Sequence, residues 1–289
     1  MPDILITGGT GTLGKALVSK LYDKDWNRIF VFSRDENKQK AMAEVYPKIT
    51  FISGDICNLE DLNSFGVSEW EHVYHCAAMK HIEVCETHVH RCVDINYTGT
   101  KNVYQTHGVK AKRFVFFSTD KAVAPINAYG HSKALAEHYL RQYTNTLMFR
   151  WGNIIGSTGS FFPYLLKCAY NNTPVKVTDS VMTRYWIHIE DAVKFVYDNR
   201  LVNDRGVLYP KMVTASIDTV ITAVELLVGR KIHRQDMGHR PGEKIHEAMV
   251  NDKFGMRERS CQGTLTAQEF AKIIKPWWIK WKKENLRSQ

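Results

Sequence analysis

The sequence predicts an α/β fold, a doubly wound parallel sheet with a smaller C-terminal lobe. Three observations carry this. Short β-branched runs alternate with helical segments through the first ninety residues, the pattern of a parallel sheet with helices on both faces. The first run leads straight into a glycine-rich turn and an apolar helical pattern. Two later runs continue the series, and nothing repeats at a solenoid period.

In order, the predicted strands are Asp3–Thr7, Arg28–Ser33, Ile49–Ser53, Glu71–His75, Arg113–Ser118 and Thr146–Trp151. From about Gly156, Pro163, Pro174, Pro210 and Pro241 interrupt shorter elements and the alternation fades. The expected division is a dinucleotide-binding domain over 1–155 and a substrate lobe over 156–289, with some of its elements interleaved with the sheet.

A chain of 289 residues, 44% hydrophobic and 24% charged, buries a substantial core and shows no disordered tract. Its longest apolar stretches, Arg113–Ser118 and Leu147–Ile155, fall well short of the ~20 residues a bilayer span requires. No signal-peptide pattern opens the sequence, so the expectation is a soluble, cytoplasmic protein without a membrane span. Six cysteines without a C-x-x-C pair read as reduced thiols. The net charge of +9 favours anionic partners. Its Lys and Arg are scattered, without the interleaved basic and aromatic face of a nucleic-acid binder, so no nucleic acid partner is expected.

Strand one runs into Thr7-Gly8-Gly9-Thr10-Gly11-Thr12-Leu13-Gly14, followed by Leu17, Val18 and Leu21 on a helix. Glycines at 8, 11 and 14 allow a tight turn, close backbone approach to a pyrophosphate and close helix packing, the Rossmann-type arrangement with phosphates at the helix N-terminus. Where an NAD-specific fold carries a carboxylate at the end of strand two, this chain has Ser33 and Arg34, which suit a 2′-phosphate and favour NADP. The alternative for Arg34 is a surface pair with Asp35 or Glu36. Gly54-Asp55 after strand three can cap the adenine, and Cys76-Ala77-Ala78 supplies small residues where backbone approaches the cofactor.

After strand five come Ser118-Thr119-Asp120-Lys121 and then Tyr129-Gly130-His131-Ser132-Lys133 at the start of a helix. Tyr129 and Lys133, four apart, share a helix face, so the ammonium can lower the phenol's pKa and reach a nicotinamide ribose.

These stretches, from Ser118 to Lys133 through Pro125-Ile126-Asn127-Ala128, resemble the UDP-N-acetylglucosamine 4,6-dehydratase family of extended short-chain dehydrogenase/reductases. So do Phe32-Ser33-Arg34-Asp35-Glu36, Ala77-Ala78-Met79-Lys80-His81, Gly152-Asn153-Ile154-Ile155-Gly156-Ser157, Met182-Thr183-Arg184 and Arg240-Pro241-Gly242-Glu243-Lys244. The resemblance runs over about residues 3 to 250, and the Asp-Lys pair separates it from dTDP-glucose dehydratases, which carry Asp-Glu, and from 4-epimerases, which carry neither. It implies that Tyr129, helped by Lys133 and Thr119, takes the 4-hydroxyl proton, that Lys121 takes the C5 proton, and that Asp120 protonates the departing 6-hydroxyl, with NADP regenerated in each turnover. The bland alternative makes Asp120 and Lys121 an exposed ion pair of little energetic weight.

The resemblance adds Lys38, Ile56, Asn96 and Ile154 to the cofactor-binding set. It places Lys80, Asn153, Phe161, Thr178, Arg184, Arg240 and Glu243 on the UDP-sugar, Arg240 as a diphosphate clamp. Tyr129, where many retaining relatives have Met, and the lack of an N-terminal membrane region place the chain with the soluble group that inverts C5. Relatives form oligomers, so a homo-oligomer is expected. Two departures stand out. Gly156-Ser157-Thr158-Gly159-Ser160 lacks the family's arginine at 158, and the chain is shorter than usual between Lys133 and Asn153 and at its C-terminus.

Two further signals are of other kinds. Cys85, His88 and Cys92 would share a helix face and form a possible zinc set, though buried thiols beside surface histidines explain them and no metal is expected. The tail, with Trp277, Trp278, Ile279 and Trp281 among lysines, reads as a helix docked on its own domain or a partner subunit, the alternative being an anionic membrane surface. The rival functions are a retaining dehydratase, a UDP-sugar 4-epimerase and a catalytically idle NADP-sensing protein that kept the fold.

Overall fold

The structure, a computed structural model, describes residues 3–24, 26–67, 69–203, 206–250 and 260–285. Along the chain, β1 (Ile4–Thr7), α1 (Thr12–Leu21), β2 (Ile29–Ser33), α2 (Glu36–Val45), β3 (Ile49–Ser53), α3 (Leu59–Asn63) and β4 (Trp70–His75) alternate strand and helix. Next come α4 (Ile82–Thr87), α5 (Val89–Val93), a π-turn at Asp94–Thr98, α6 (Gly99–Thr106), β5 (Ala111–Thr119), a 3-10 turn at Asp120–Ala122, α7 (Ala128–Leu140) and β6 (Thr146–Trp151). Then follow β7 (Asn153–Ile154), α8 (Phe161–Asn171), β8 (Val175–Val177), β9 (Thr183–Ile187), α9 (Ile189–Asn199) and β10 (Val207–Leu208). The chain closes with β11 (Val213–Ser216), α10 (Ile217–Val228), β12 (Arg234–Asp236) and α11 (Ala267–Asn285).

Two compact units result: Met1–Arg150 with Ile189–Pro210, and Trp151–His188 with Lys211–Gln289. The first is built on a seven-stranded sheet of order β10-β6-β5-β4-β1-β2-β3. The pairs β1–β2, β1–β4, β2–β3, β4–β5 and β6–β10 all run parallel. A parallel strand covered by helices on both faces must be apolar on both, and β1, β2 and β6 are buried along their whole length. On one face Leu5, Phe30, Phe32, Val73, Phe114, Phe116 and Met148 pack with Leu62, Val103, Ala136 and Leu140 from the helices. The predicted strands all form, each starting and ending within two residues of its expected limits.

The second unit holds a three-stranded sheet, β11-β9-β7, and a separate parallel pair, β12-β8. Its core gathers Phe162, Leu165, Leu166, Trp186, Val220, Ile221, Val224 and Phe270. Pro163, expected to interrupt, lies instead in the first turn of α8, where a residue without N–H breaks no intrahelical bond. The tail helix α11 docks within its own unit: the Trp281 ring stacks 5.6 Å from Tyr170, and Trp277 packs edge-on against Phe162 at 5.8 Å. Its tryptophans are spent on this core rather than presented as a membrane anchor.

Candidate active site

The turn from β1 into α1 has the form a dinucleotide needs. Gly8 sits at φ +65°, and a Cβ there would stand 2.6 Å from the Ala77 backbone nitrogen; a Cβ on Gly14 would stand 2.5 Å from Gly9 Cα. Gly11 caps α1 with no side-chain cap, no acid occupies the first turn, and a Cβ on Gly11 would meet only Gly8 O, at 3.2 Å. The positive end of α1 thus faces uncrowded space beside Thr10, Thr12 and Leu13, which fits a pyrophosphate.

At the ends of β2 and β3 the predicted nucleoside residues converge. Arg34 is exposed and reaches Asp55, with 3.6 Å between guanidinium and carboxylate, rather than its sequence neighbours Asp35 or Glu36. Asp35 instead caps α2 by accepting from Lys38 N at 3.0 Å and pairs with Lys38 Nζ at 2.6 Å. Ser33 Oγ accepts from Gln39 Nε2 at 3.0 Å, and Ile56 is buried. Asn96, in the π-turn, is fully buried and acts as a clamp. Its Oδ1 accepts from Met79 N at 2.7 Å, and its Nδ2 donates to Met79 O at 2.8 Å and Ser132 Oγ at 3.0 Å. It ties the backbone that follows Ala77 and Ala78 to α7.

The catalytic candidates meet where β5 ends. Thr119 Oγ1 donates to Asp120 Oδ1 at 2.9 Å, and Lys121 Nζ donates to the same oxygen at 3.0 Å. Asp120 is fully buried and the Lys121 side chain only 12% exposed, so this is no solvated surface pair. Enclosure pushes the Tyr129 phenol up to about 12, opposed by the Lys121 ammonium and by a hydrogen bond with Thr119. Lys121 is thus one cation acting on the phenol. Lys133, expected in that role from its spacing, places Nζ 3.8 Å over the Phe116 ring, and burial pushes it down to about 7.

Local folding brings these groups together. Asn127 caps α7 by accepting from Gly130 N at 2.7 Å, while Glu86 Oε1 accepts from Ala128 N at 2.6 Å. Gly130 lets the helix approach the 3-10 turn, since a Cβ there would lie 2.3 Å from Lys121 O. Between them Ala124 is held at φ +44°, a left-handed conformation costly for a residue with a Cβ. Sequence reasoning passed over Glu86, Ala124 and Asn127 as functional residues. The Asn before an apolar helix was a legible cap signal; Glu86 and Ala124 carried none.

In the second unit, Thr178 Oγ1 donates to Glu243 Oε2 at 2.8 Å. Arg184 on β9 is buried, donating to Thr183 O at 2.8 Å and to Ile245 O at 3.3 Å, so it holds the same loop. These three predicted substrate residues cluster, with Arg240 on the same loop as Glu243. Asn153 and Ile154 lie on β7, the strand paired with β9, and Phe161 begins α8. Lys80 belongs to the first unit, exposed beyond β4.

The helix proposed to present Cys85, His88 and Cys92 on one face is broken at His88, whose φ −126° and ψ 60° separate α4 from α5. Both thiols turn into the core, and among the described residues no His, Cys, Asp and Glu group is placed to hold a metal. Nor, among them, is any helix long and apolar enough to cross a membrane.

A family model described as polysaccharide biosynthesis protein matches residues 4–269. The chain belongs to this family. Among curated members of similar sequence, a UDP-N-acetylglucosamine 4,6-dehydratase (inverting) of Campylobacter jejuni is 34% identical over 265 residues, 86% of this chain and 77% of that one. A UDP-glucose 4-epimerase of Rickettsia bellii is 32% identical over 266 residues, covering 86% and 78%. The crystal structure of Pen from Bacillus thuringiensis superposes with a TM-score of 0.86 over 96% of this chain and 98% of that one, at 26% identity. This member of the polysaccharide biosynthesis family thus carries an extended short-chain dehydrogenase/reductase fold with an intact Thr-Asp-Lys and Tyr-x-x-x-Lys constellation.

Proposed function

We propose that this chain is an NADP-dependent UDP-N-acetylglucosamine 4,6-dehydratase that inverts C5. The observation that carries the reading is the buried Asp120–Lys121 contact of 3.0 Å, one residue beyond Thr119 and in the electrostatic reach of Tyr129. An oxidoreductase that only moves hydrogen at C4 has no use for a second acid and base, whereas elimination across C5 and C6 needs both.

Gly8, Gly11, Gly14 and the start of α1 would hold the pyrophosphate, Ala77 and Ala78 would line the cofactor, and Arg34 with Lys38 would take a 2′-phosphate. When bound, the nicotinamide supplies the reversible two-electron chemistry that oxidises C4 and reduces C6. Tyr129, fixed by Thr119 and helped by the Lys133 ammonium one turn along α7, removes the 4-hydroxyl proton as C4 becomes a ketone. That ketone acidifies the C5 proton. Moving one proton along the Asp120–Lys121 contact converts carboxylate and ammonium into carboxylic acid and amine, the acid and base the elimination requires. The Lys121 amine then takes the C5 proton and Asp120 gives its proton to the departing 6-hydroxyl. Burial of both lowers the cost of this transfer, because little water is present to hold the charges apart.

The Thr178–Glu243 pair and the Arg184-braced loop that carries Arg240 are the residues of the second unit suited to a UDP-sugar. A second reading, a UDP-sugar 4-epimerase, is favoured by the Rickettsia relative and would use Tyr129 and Lys133 alone. Incubation with UDP-N-acetylglucosamine and catalytic NADP⁺ in heavy water separates them. Loss of water with solvent deuterium at C5 supports the dehydratase, and a product of unchanged formula with altered C4 configuration supports the epimerase. The C5 coupling pattern reads inversion. Tighter binding of NADP⁺ than of NAD⁺, lost in Arg34→Ala, tests the cofactor.

A further inference from the structure

On α7, Tyr129, Lys133 and Glu137 follow one another at four-residue intervals and so share a face. Tyr129 and Lys133 belong to the proposed chemistry; Glu137 does not. It is nonetheless 3% exposed, an expensive place for a carboxylate. Arg150, at the end of β6 and itself buried, grips it in a fork: Nε donates to Oε1 at 3.2 Å and a terminal nitrogen to Oε2 at 2.6 Å. Arg141 approaches Oε2 from the solvent side at 3.5 Å. A purely structural pair at this site would be matched by well-packed apolar residues, because desolvation cancels most of the attraction between buried charges. Its position one turn from a buried lysine supplies a reason for the charge.

We propose that Glu137, fixed by Arg150, is a positioning residue that keeps Lys133 in its ammonium form. The surroundings of Lys133 leave that task to it. Phe116 of β5 offers only a ring face. His75 and Cys76 at the end of β4 and Cys92 of α5 are the other titratable groups near it. His75 is held neutral by burial, down to about 3, and the Cys76 thiol is pushed far up. Among the groups acting on Lys133, Glu137 is the one carboxylate. On the Tyr129 side stand Lys121, Thr119, Asp120 and Cys85, of which Lys121 is the cation. Burial brings Lys133 down to about 7, with Glu137 opposing, so near neutral pH this carboxylate decides which form prevails.

The inference rests on the reading of Tyr129 and Lys133 as the proton-transfer couple, and its test has an arm independent of that reading. The protein labelled with ¹³C-lysine is titrated by NMR, the Lys133 signal being assigned by its loss in Lys133→Met. In Glu137→Gln, which keeps a hydrogen-bonding partner for Arg150, the Lys133 midpoint moves down by about one unit. In turnover this appears as a roughly fivefold deficit in kcat at pH 7 that closes at pH 5, where Lys133 is an ammonium in both proteins, with KM unchanged. Glu137→Asp recovers part of the deficit. The double variant Glu137→Leu/Arg150→Met restores thermal stability but keeps a lowered midpoint. An unmoved Lys133 midpoint in Glu137→Gln, or a wild-type midpoint in the double variant, overturns the proposal. If the wild-type protein releases no water from UDP-N-acetylglucosamine while the midpoints move as stated, the functional reading fails and this inference stands.

Discussion

Replacing Asn96 by alanine should cost more than any surface change and should act on the cofactor site without touching it. The Asn96 amide is wholly internal, and truncation removes bonds to Met79 N, Met79 O and Ser132 Oγ of 2.7, 2.8 and 3.0 Å. Each abandoned backbone group costs about 1–2 kcal/mol, because Met79 is half-buried and its carbonyl keeps Cys85 Sγ at 3.8 Å. Two such groups and the weakened Ser132 contact together give about 3–5 kcal/mol. For a chain of this size each kcal/mol lowers the melting temperature by roughly 2 °C, so Asn96→Ala should melt about 6–10 °C below the parent by calorimetry. The clamp also fixes the backbone beside Ala77 and Ala78, so dinucleotide affinity measured by titration calorimetry at 15 °C should fall while the variant is still folded. Asn96→Asp, which sets a buried acceptor oxygen against Met79 O, should lose at least as much. A melting temperature within a degree of the parent, with unchanged affinity, would refute the assignment of Asn96 as a clamp.

Three buried histidines predict the acid limit. Burial lowers His72 to about 4, His75 to about 3 and His107 to about 4, from 6.5. The unfolded chain then binds protons that the fold refuses, so stability falls as pH drops below 6.5 by up to about 4 kcal/mol per pH unit; urea titrations from pH 7 to 4 should show this slope. Lys133 acts in another window. The fold releases its proton near 7 and the unfolded chain keeps it to 10.5, so stability rises with pH between those values. Lys133→Met should therefore melt above the parent at pH 7, with a flatter pH dependence, while losing turnover. Gly130→Ala forces a Cβ to within 2.3 Å of Lys121 O unless the backbone moves, which separates Tyr129 from the Asp120–Lys121 turn. Turnover should drop by about 10²-fold with the circular dichroism spectrum unchanged.

The sequence by itself determined the parallel sheet and most of the candidate site's residues, because both are written in local patterns. Short apolar runs such as Ile29–Ser33 and Thr146–Trp151, of strand length and placed in the alternation, read as doubly covered strands. The spacing of Gly8, Gly11 and Gly14 is a backbone requirement legible in one dimension, as is the four-residue step from Tyr129 to Lys133. What side chains do across elements was not legible. Arg34 chooses Asp55 over its neighbours Asp35 and Glu36 because β2 and β3 lie side by side. Lys133 lies over the Phe116 ring because β5 runs under α7. The break at His88, the fork of Arg150 on Glu137 and the docking of Trp277 and Trp281 likewise depend on surfaces assembled from distant parts of the chain. Backbone propensity acts over a few residues and is carried by the sequence; the pairing of a buried charge depends on which elements pack around it, and tertiary structure alone decides that.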